Sequence, residues 1–272
     1  MKENKSKKNK IIAIIISIIL IGIISVILYD RITINKLYSI GEKNLKIPVF
    51  VYHDIVQNES KVEYDYMQTT QETFEKQMKG LKNFGYHFIS YEDLKEYSEG
   101  NKKLYKKSCL VTFDDGYKGV YENALPVAKE YNIPITIFVI TDKMEETGII
   151  SWKDAKEMQD TGLVTIASHS KNHSEFSKLS AIEAKDNVNN SYSKIEENLG
   201  KQNTKIFTYP YGLYTNEELD ILKQEGYIQN LTDNKINKSE KLNLYGLHRC
   251  YPLGDSIYKI IAKIIYRSIR YN

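Results

Sequence analysis

The sequence predicts an α/β protein: a distorted (β/α)7-type barrel of parallel strands, preceded by one N-terminal transmembrane helix. Three observations carry this. From Lys46 onward, short apolar runs alternate with amphipathic segments at helical spacing, the pattern of repeated βα units. Three polar clusters, Asp114-Asp115, Ser168-His169 and Tyr209-Pro210-Tyr211, stand at the ends of apolar runs. That is where a parallel barrel carries its chemistry. Residues 11–29, ahead of all this, contain no charge.

That apolar segment spans roughly 28 Å as a helix, about one hydrocarbon core. Five lysines precede it and Asp30 follows, so the positive-inside rule keeps the N-terminus cytoplasmic and exports the rest. A cleaved signal peptide is the rival; the segment is long for one, and no small-residue cleavage site follows it. The expected organisation is a basic cytoplasmic tail (1–10), an anchor (11–29), a juxtamembrane linker (30–45) and a catalytic domain (46–272). The expected location is the cell membrane, single-pass, with the domain outside.

Within the domain, Ile47–Tyr52 reads as a buried strand and 71–84 as a helix with Phe74, Met78 and Leu81 on one face. Strands follow at 87–89, 108–113, 135–140, 163–167, 205–209, 227–231 and 244–249. Helices are expected at 91–97, 120–131, 151–160 with Ser151 as N-cap, 181–199, 216–224 and 256–270. Some seven strands in this length suit a closed or nearly closed barrel.

Charge excludes one class of function. The formal net charge is +3, but residues 1–10 hold five Lys and one Glu, which leaves the remainder near −1. There is no global nucleic-acid footprint. Cys109 and Cys250 stand in no zinc spacing; they read as two buried thiols, with a single bridge as the extracellular alternative.

Two adjacent carboxylates at a strand end repel unless a cation neutralises one, and Gly116 lets the chain turn away after Asp114-Asp115. The bland alternative is a turn and helix cap. His169 and His173 are four apart, so a helical turn would place both rings on one face. With Asp115 they make a three-ligand set with room for water, suited to zinc among the divalent ions. A metal there acidifies its water. Asp114, off the metal, then serves as general base. The general acid is expected to be His53, at the end of the PVFVYH run, with His248 as the competitor. His87 reads as structural. Trp152 either lines a sugar groove or packs inside.

These residues resemble a known family. Thr112-Phe113-Asp114-Asp115-Gly116 looks like the TFDDG signature of the polysaccharide deacetylases, the NodB-homology group or carbohydrate esterase family 4. Ser168-His169-Ser170-Lys171-Asn172-His173 looks like its second motif, and Tyr209-Pro210-Tyr211-Gly212 like its third. The likeness spans roughly 46–268, and the 151–163 stretch matches loosely. Pro48–His53 and Phe74–Leu94 are similar to the poly-β-1,6-N-acetylglucosamine deacetylase subgroup. The resemblance implies a NodB-like barrel, with Asp114 as base, Asp115, His169 and His173 on the metal, and His53 favoured as acid. It implies that the Tyr211 backbone N–H serves the oxyanion. One departure stands out: the motif arginine is replaced by Thr208, which leaves open how Asp114 is held.

The expected function is metal-dependent removal of N-acetyl groups from an envelope N-acetylglucosamine polymer. Poly-β-1,6-N-acetylglucosamine is the favoured polymer and peptidoglycan the alternative. A metal-free carbohydrate-binding protein on the same barrel is the reading of another class, and the intact ligand set argues against it.

Overall fold

The computed structural model describes residues 16–22, 24–25, 40–41, 45–58, 67–252 and 256–270. The chain divides into two units, 1–39 and 40–272. In the first, 16–22 and 24–25 are helical, with Ile18 and Ile21 among its exposed side chains. Among the described residues no helix is long and apolar enough to cross a membrane. Ten of the nineteen residues of the predicted anchor lie outside the described residues.

The second unit is the predicted parallel barrel. Its strands are β1 (Val49–Tyr52), β2 (His87–Phe88), β3 (Ser108–Phe113), β4 (Ile135–Val139), β5 (Val164–Ser168), β6 (Ile206–Thr208), β7 (Ile228–Leu231) and β8 (Leu247–His248). The order is β1-β3-β4-β5-β6-β7-β8, every pair parallel, with β2 also on β3. Closure comes just past β8. The Cys250 N–H donates to the Val49 carbonyl (2.9 Å), and the Val51 N–H donates to the Cys250 carbonyl (3.0 Å).

Helices α1 (Gln71–Asn83), α2 (Tyr91–Ser98), α3 (Leu125–Tyr131), α4 (Trp152–Asp160), α5 (Ala181–Leu199), α6 (Asn216–Gln224) and α7 (Ile257–Arg270) lie between and around the strands. Four start where their sequence says they should. Ser90/Asp93, Ser151/Asp154, Ser180/Glu183 and Thr215/Glu218 form reciprocal capping boxes, each satisfying two otherwise orphaned N–H groups. The helix expected over 120–131 instead opens with a wide π turn, Val120–Ala124, before α3. There Gly119 passes so close to Asp54 and the Ile55 carbonyl that a β-carbon would overlap both.

Strand alternation divides the barrel interior into an apolar floor and a polar mouth. Val49, Leu110, Phe138, Ala167, Ile206, Ile228 and Leu247 share one buried cluster, closed by Tyr91 and Leu94 of α2. Two residues further along, the same series reads Thr112, Thr208, Asn230 and Arg249, all buried. Asp114 and His169 continue it on β3 and β5. The larger cluster packs the outer faces of the strands against the helices.

The two cysteines are free and buried. Cys250 flanks β1 on one side and Cys109 belongs to β3 on the other. Two strand spacings, roughly 9.5 Å, exceed the reach of a disulfide.

Candidate active site

One cavity of about 400 Å3 opens at the polar mouth, lined among others by His53, Asp114, Asp115, His169, His173 and Tyr211. All six were legible as site candidates from sequence. Trp152 is not among its lining residues; it is half-buried against the main core at the first turn of α4. A Trp heading a capped helix buries its ring where the apolar face points, which is inward.

Asp115 follows β3 in the left-handed region (φ 70°), as does Gly116 (φ 76°). The turn is pinned from outside: the Ile150 N–H donates to the Gly116 carbonyl at 2.9 Å and the Lys118 N–H to the Gly148 carbonyl at 2.8 Å. Residues His173 (φ 59°) and Tyr211 (φ 58°) are left-handed too. Non-glycine residues rarely adopt this conformation, and three of them converge on one cavity, where surrounding structure must impose it.

The two histidines are brought together, but not by a helix. Residues 169–175 form an irregular loop. The Ser170 N–H donates to Ser168 Oγ (3.1 Å), and Ser170 Oγ accepts the His173 N–H (2.8 Å). Asn187 on α5 holds the loop from behind, accepting from the Lys171 N–H at 2.8 Å and donating to Asn172 Oδ1 at 2.9 Å. The expected helical i,i+4 pair is thus corrected to a loop fold-back. Short polar side chains bonding to nearby backbone favour turns over helix here.

His169 Nε2 and His173 Nε2 each lie 3.4 Å from Asp115 Oδ1. A tetrahedral ion about 2.1 Å from its ligands needs ligand–ligand edges of about 3.4 Å, so the spacing fits. All three ligand atoms lie within 4.8 Å of one another, and Asp115 Oδ1 is buried with no hydrogen-bond partner. His169 Nδ1 sits 2.9 Å from the Thr208 carbonyl. That contact fixes the Nδ1–H tautomer and turns the Nε2 lone pair to the site, the usual outer support of a metal-bound imidazole. Thr208 therefore contributes through its backbone.

The three groups are coupled electrostatically: burial lowers the His169 imidazole, but Asp115 and Asp114 outweigh it and raise its pKa, and a metal at Nε2 would displace the proton held there. Burial raises the Asp115 carboxyl, but His169 and the other nearby imidazoles outweigh it and hold the group at about 2. Burial and the His169 charge push His173 down to about 4, leaving a neutral ring able to coordinate.

Sequence reasoning missed Arg249. From the segment just past β8 its guanidinium makes a bidentate pair with Asp114, Nη1–Oδ1 2.7 Å and Nη2–Oδ2 2.8 Å. Nη2 also donates to Thr232 Oγ1 at 2.8 Å. Burial raises the Asp114 carboxyl, yet the Arg249 charge and hydrogen bonds, with His169, hold it below the usual range. The vacancy noted at Thr208 is thus filled from another strand. A signal existed: Arg249 is one of four arginines in a lysine-rich chain, and it directly follows a strand.

His53 lies at the end of β1, stacked against Tyr251 with centroids 6.1 Å apart. Burial lowers its pKa, against the pull of Asp114 and Asp115. Its competitor His248 instead bonds Asp233 (2.9 Å), and His87 stacks on Tyr105, a structural role. Neither lines the cavity.

The sequence profile of the polysaccharide deacetylases matches residues 101–229. YxkH of Bacillus subtilis, named for that family, is 31% identical over 76% of this chain and 72% of its own length. A Staphylococcus aureus poly-β-1,6-N-acetyl-D-glucosamine N-deacetylase is 33% identical over 58% of each chain. The solved Streptococcus pyogenes deacetylase PplD, in complex with acetate, is 26% identical with a TM-score of 0.74, over 81% of this chain and 99% of that one.

Proposed function

This chain belongs to the polysaccharide deacetylase family, and from that premise we propose that it removes N-acetyl groups from poly-β-1,6-N-acetylglucosamine outside the cell, tethered by residues 11–29. The observation that carries the chemistry is the convergence of Asp115, His169 and His173 beside an arginine-clamped Asp114 and His53 in one cavity. The substrate reading draws on the staphylococcal relative's stated activity and on the Pro48–His53 segment.

Asp115, His169 and His173 would hold a divalent ion, zinc by donor type. When bound, such an ion supplies Lewis-acid activation of the hydrolytic water and the acetyl carbonyl. The chain's own groups do the rest. Asp114, kept ionised by Arg249, accepts the proton of the attacking water. The Tyr211 backbone N–H is the donor that the family resemblance assigns to the oxygen on which charge develops. His53 gives a proton to the departing amine nitrogen, closing the hydrolysis to acetate and a free amine. Tyr211 and Tyr251 line the cavity as aromatic walls suited to sugar CH faces.

The test is acetate release from β-1,6 and β-1,4 N-acetylglucosamine oligomers, with and without chelator. Release from the β-1,6 series, abolished by chelator and by Asp114→Asn, is expected. Release from neither series sinks the enzymatic reading. Preference for β-1,4 oligomers would move the substrate to peptidoglycan.

A further inference from the structure

Helix α7 packs with one face and leaves another uncovered. Ile260 and Ile264 are buried, and the Ile257 side chain seats over Gly80 of α1, where a β-carbon would lie 2.7 Å from it. At about 100° per residue, Tyr258, Ala262, Ile265 and Ile269 fall within one sector roughly 60° wide, on the side away from the core. Tyr258 is 73% exposed, Ile265 54% and Ile269 66%, with Tyr266 beside them at 52%. These are four of the large apolar side chains the domain leaves in solvent.

The exposed charges flanking this strip, Lys259 and Arg270, lie along one side and are both cations, whereas Lys263 and Arg267 are half-buried on the far side of the helix, beside Cys250. The helix carries Lys259, Lys263, Arg267 and Arg270 and no acid. Arg267 turns back to Asn234 Oδ1 (3.2 Å), and Arg270 bonds the Tyr266 hydroxyl. An exposed apolar strip bordered by cations is the signature of a helix lying in a lipid interface. We propose that this face of α7 rests on an anionic bilayer surface.

Charge favours a bilayer over a protein. A second copy meeting this face antiparallel about a two-fold axis would set the Lys259–Arg270 side of one helix against the same side of the other, since such an interface pairs a patch with itself. An anionic surface instead attracts these cations. The orientation is workable: Tyr258 meets Phe84 at the C-terminal end of α1, whereas Arg267 reaches Asn234 beyond β7. The helix therefore runs from the foot of the barrel to its rim, and a bilayer along this flank leaves the cavity mouth open beside it.

The test uses residues 40–272. These form their own compact unit, and the solved streptococcal deacetylase aligns with this chain over 99% of its own length. Co-sedimentation is measured with phosphatidylcholine vesicles, with and without phosphatidylglycerol. Binding to the anionic vesicles that falls with salt is expected. Lys259→Ala and Arg270→Ala should each weaken it about fivefold, the usual effect of one interfacial cation. The pair Ile265→Ser and Ile269→Ser should abolish it, with circular dichroism and turnover of soluble oligomers unchanged. Absence of binding to anionic vesicles overturns the proposal, as does binding indifferent to the isoleucine pair. So does concentration-dependent dimerisation that the same pair removes. The anchor is tested apart, by fractionation of the full chain; its failure leaves the domain's vesicle binding as measured.

Discussion

Replacing Arg249 by methionine keeps most of the side-chain volume and removes the charge that faces Asp114. Both groups are buried, Arg249 at 0% and Asp114 at 4% exposure. Removing one partner of such a pair costs roughly 3–5 kcal/mol when the other stays charged. The cheaper response is for Asp114 to take up a proton. About 3 kcal/mol corresponds to roughly two pH units, at 1.36 kcal/mol per unit. The acid limb of kcat/KM should therefore move up by about that much in Arg249→Met. Arg249→Lys, which keeps a charge but loses the two-pronged geometry, should fall between. The sign for stability follows. The folded Asp114 carboxyl is held below its unfolded value of about 3.9. Its contribution is full above that value and fades as pH falls through the folded one. The variant should lose this acid-side dependence, so wild type and variant Tm values converge toward low pH. The assay is acetate release against pH on folded, metal-loaded protein, alongside thermal melts. An acid limb that stays at its wild-type position in a folded Arg249→Met protein would refute the claim that Arg249 governs the ionisation of Asp114.

Three further outcomes can be checked. His169→Ala should purify with far less bound divalent metal, by elemental analysis, than Trp152→Phe, whose ring is part of the core packing. Ser170→Ala removes the acceptor for the His173 N–H; about 1 kcal/mol of local hydrogen bonding predicts roughly fivefold weaker metal binding with the fold intact. Gly119→Ala drives a methyl group into Asp54 and the Ile55 carbonyl, and overpacking against backbone should cost about 1–3 kcal/mol, read as a fall in Tm.

The sequence by itself determined what is local. The run SCLVTF is a strand over the predicted residues, and helices 181–199 and 216–224 begin and end where their caps and apolar spacing put them. Alternation along a strand then dictates that Asp114 and His169 face the mouth when the barrel closes, because the side-chain period is two whatever the strand pairs with. The ligand set was legible for that reason. Its presentation was not. His169 and His173 share a face through a loop held by Ser168, Ser170 and Asn187, and Asn187 belongs to a helix many residues downstream. Trp152 has the same character: nothing within its own segment says whether an aromatic at a helix start meets core or cavity. Arg249 shows the division most clearly. Its residue type and strand-end position are local facts. That it replaces the arginine expected at Thr208 depends on the segment after β8 closing against β1, a pairing between residues some 200 apart. Backbone periodicity and capping act within a few residues. Which strand becomes whose neighbour is decided by the burial of the whole ring, and only the assembled barrel fixes it.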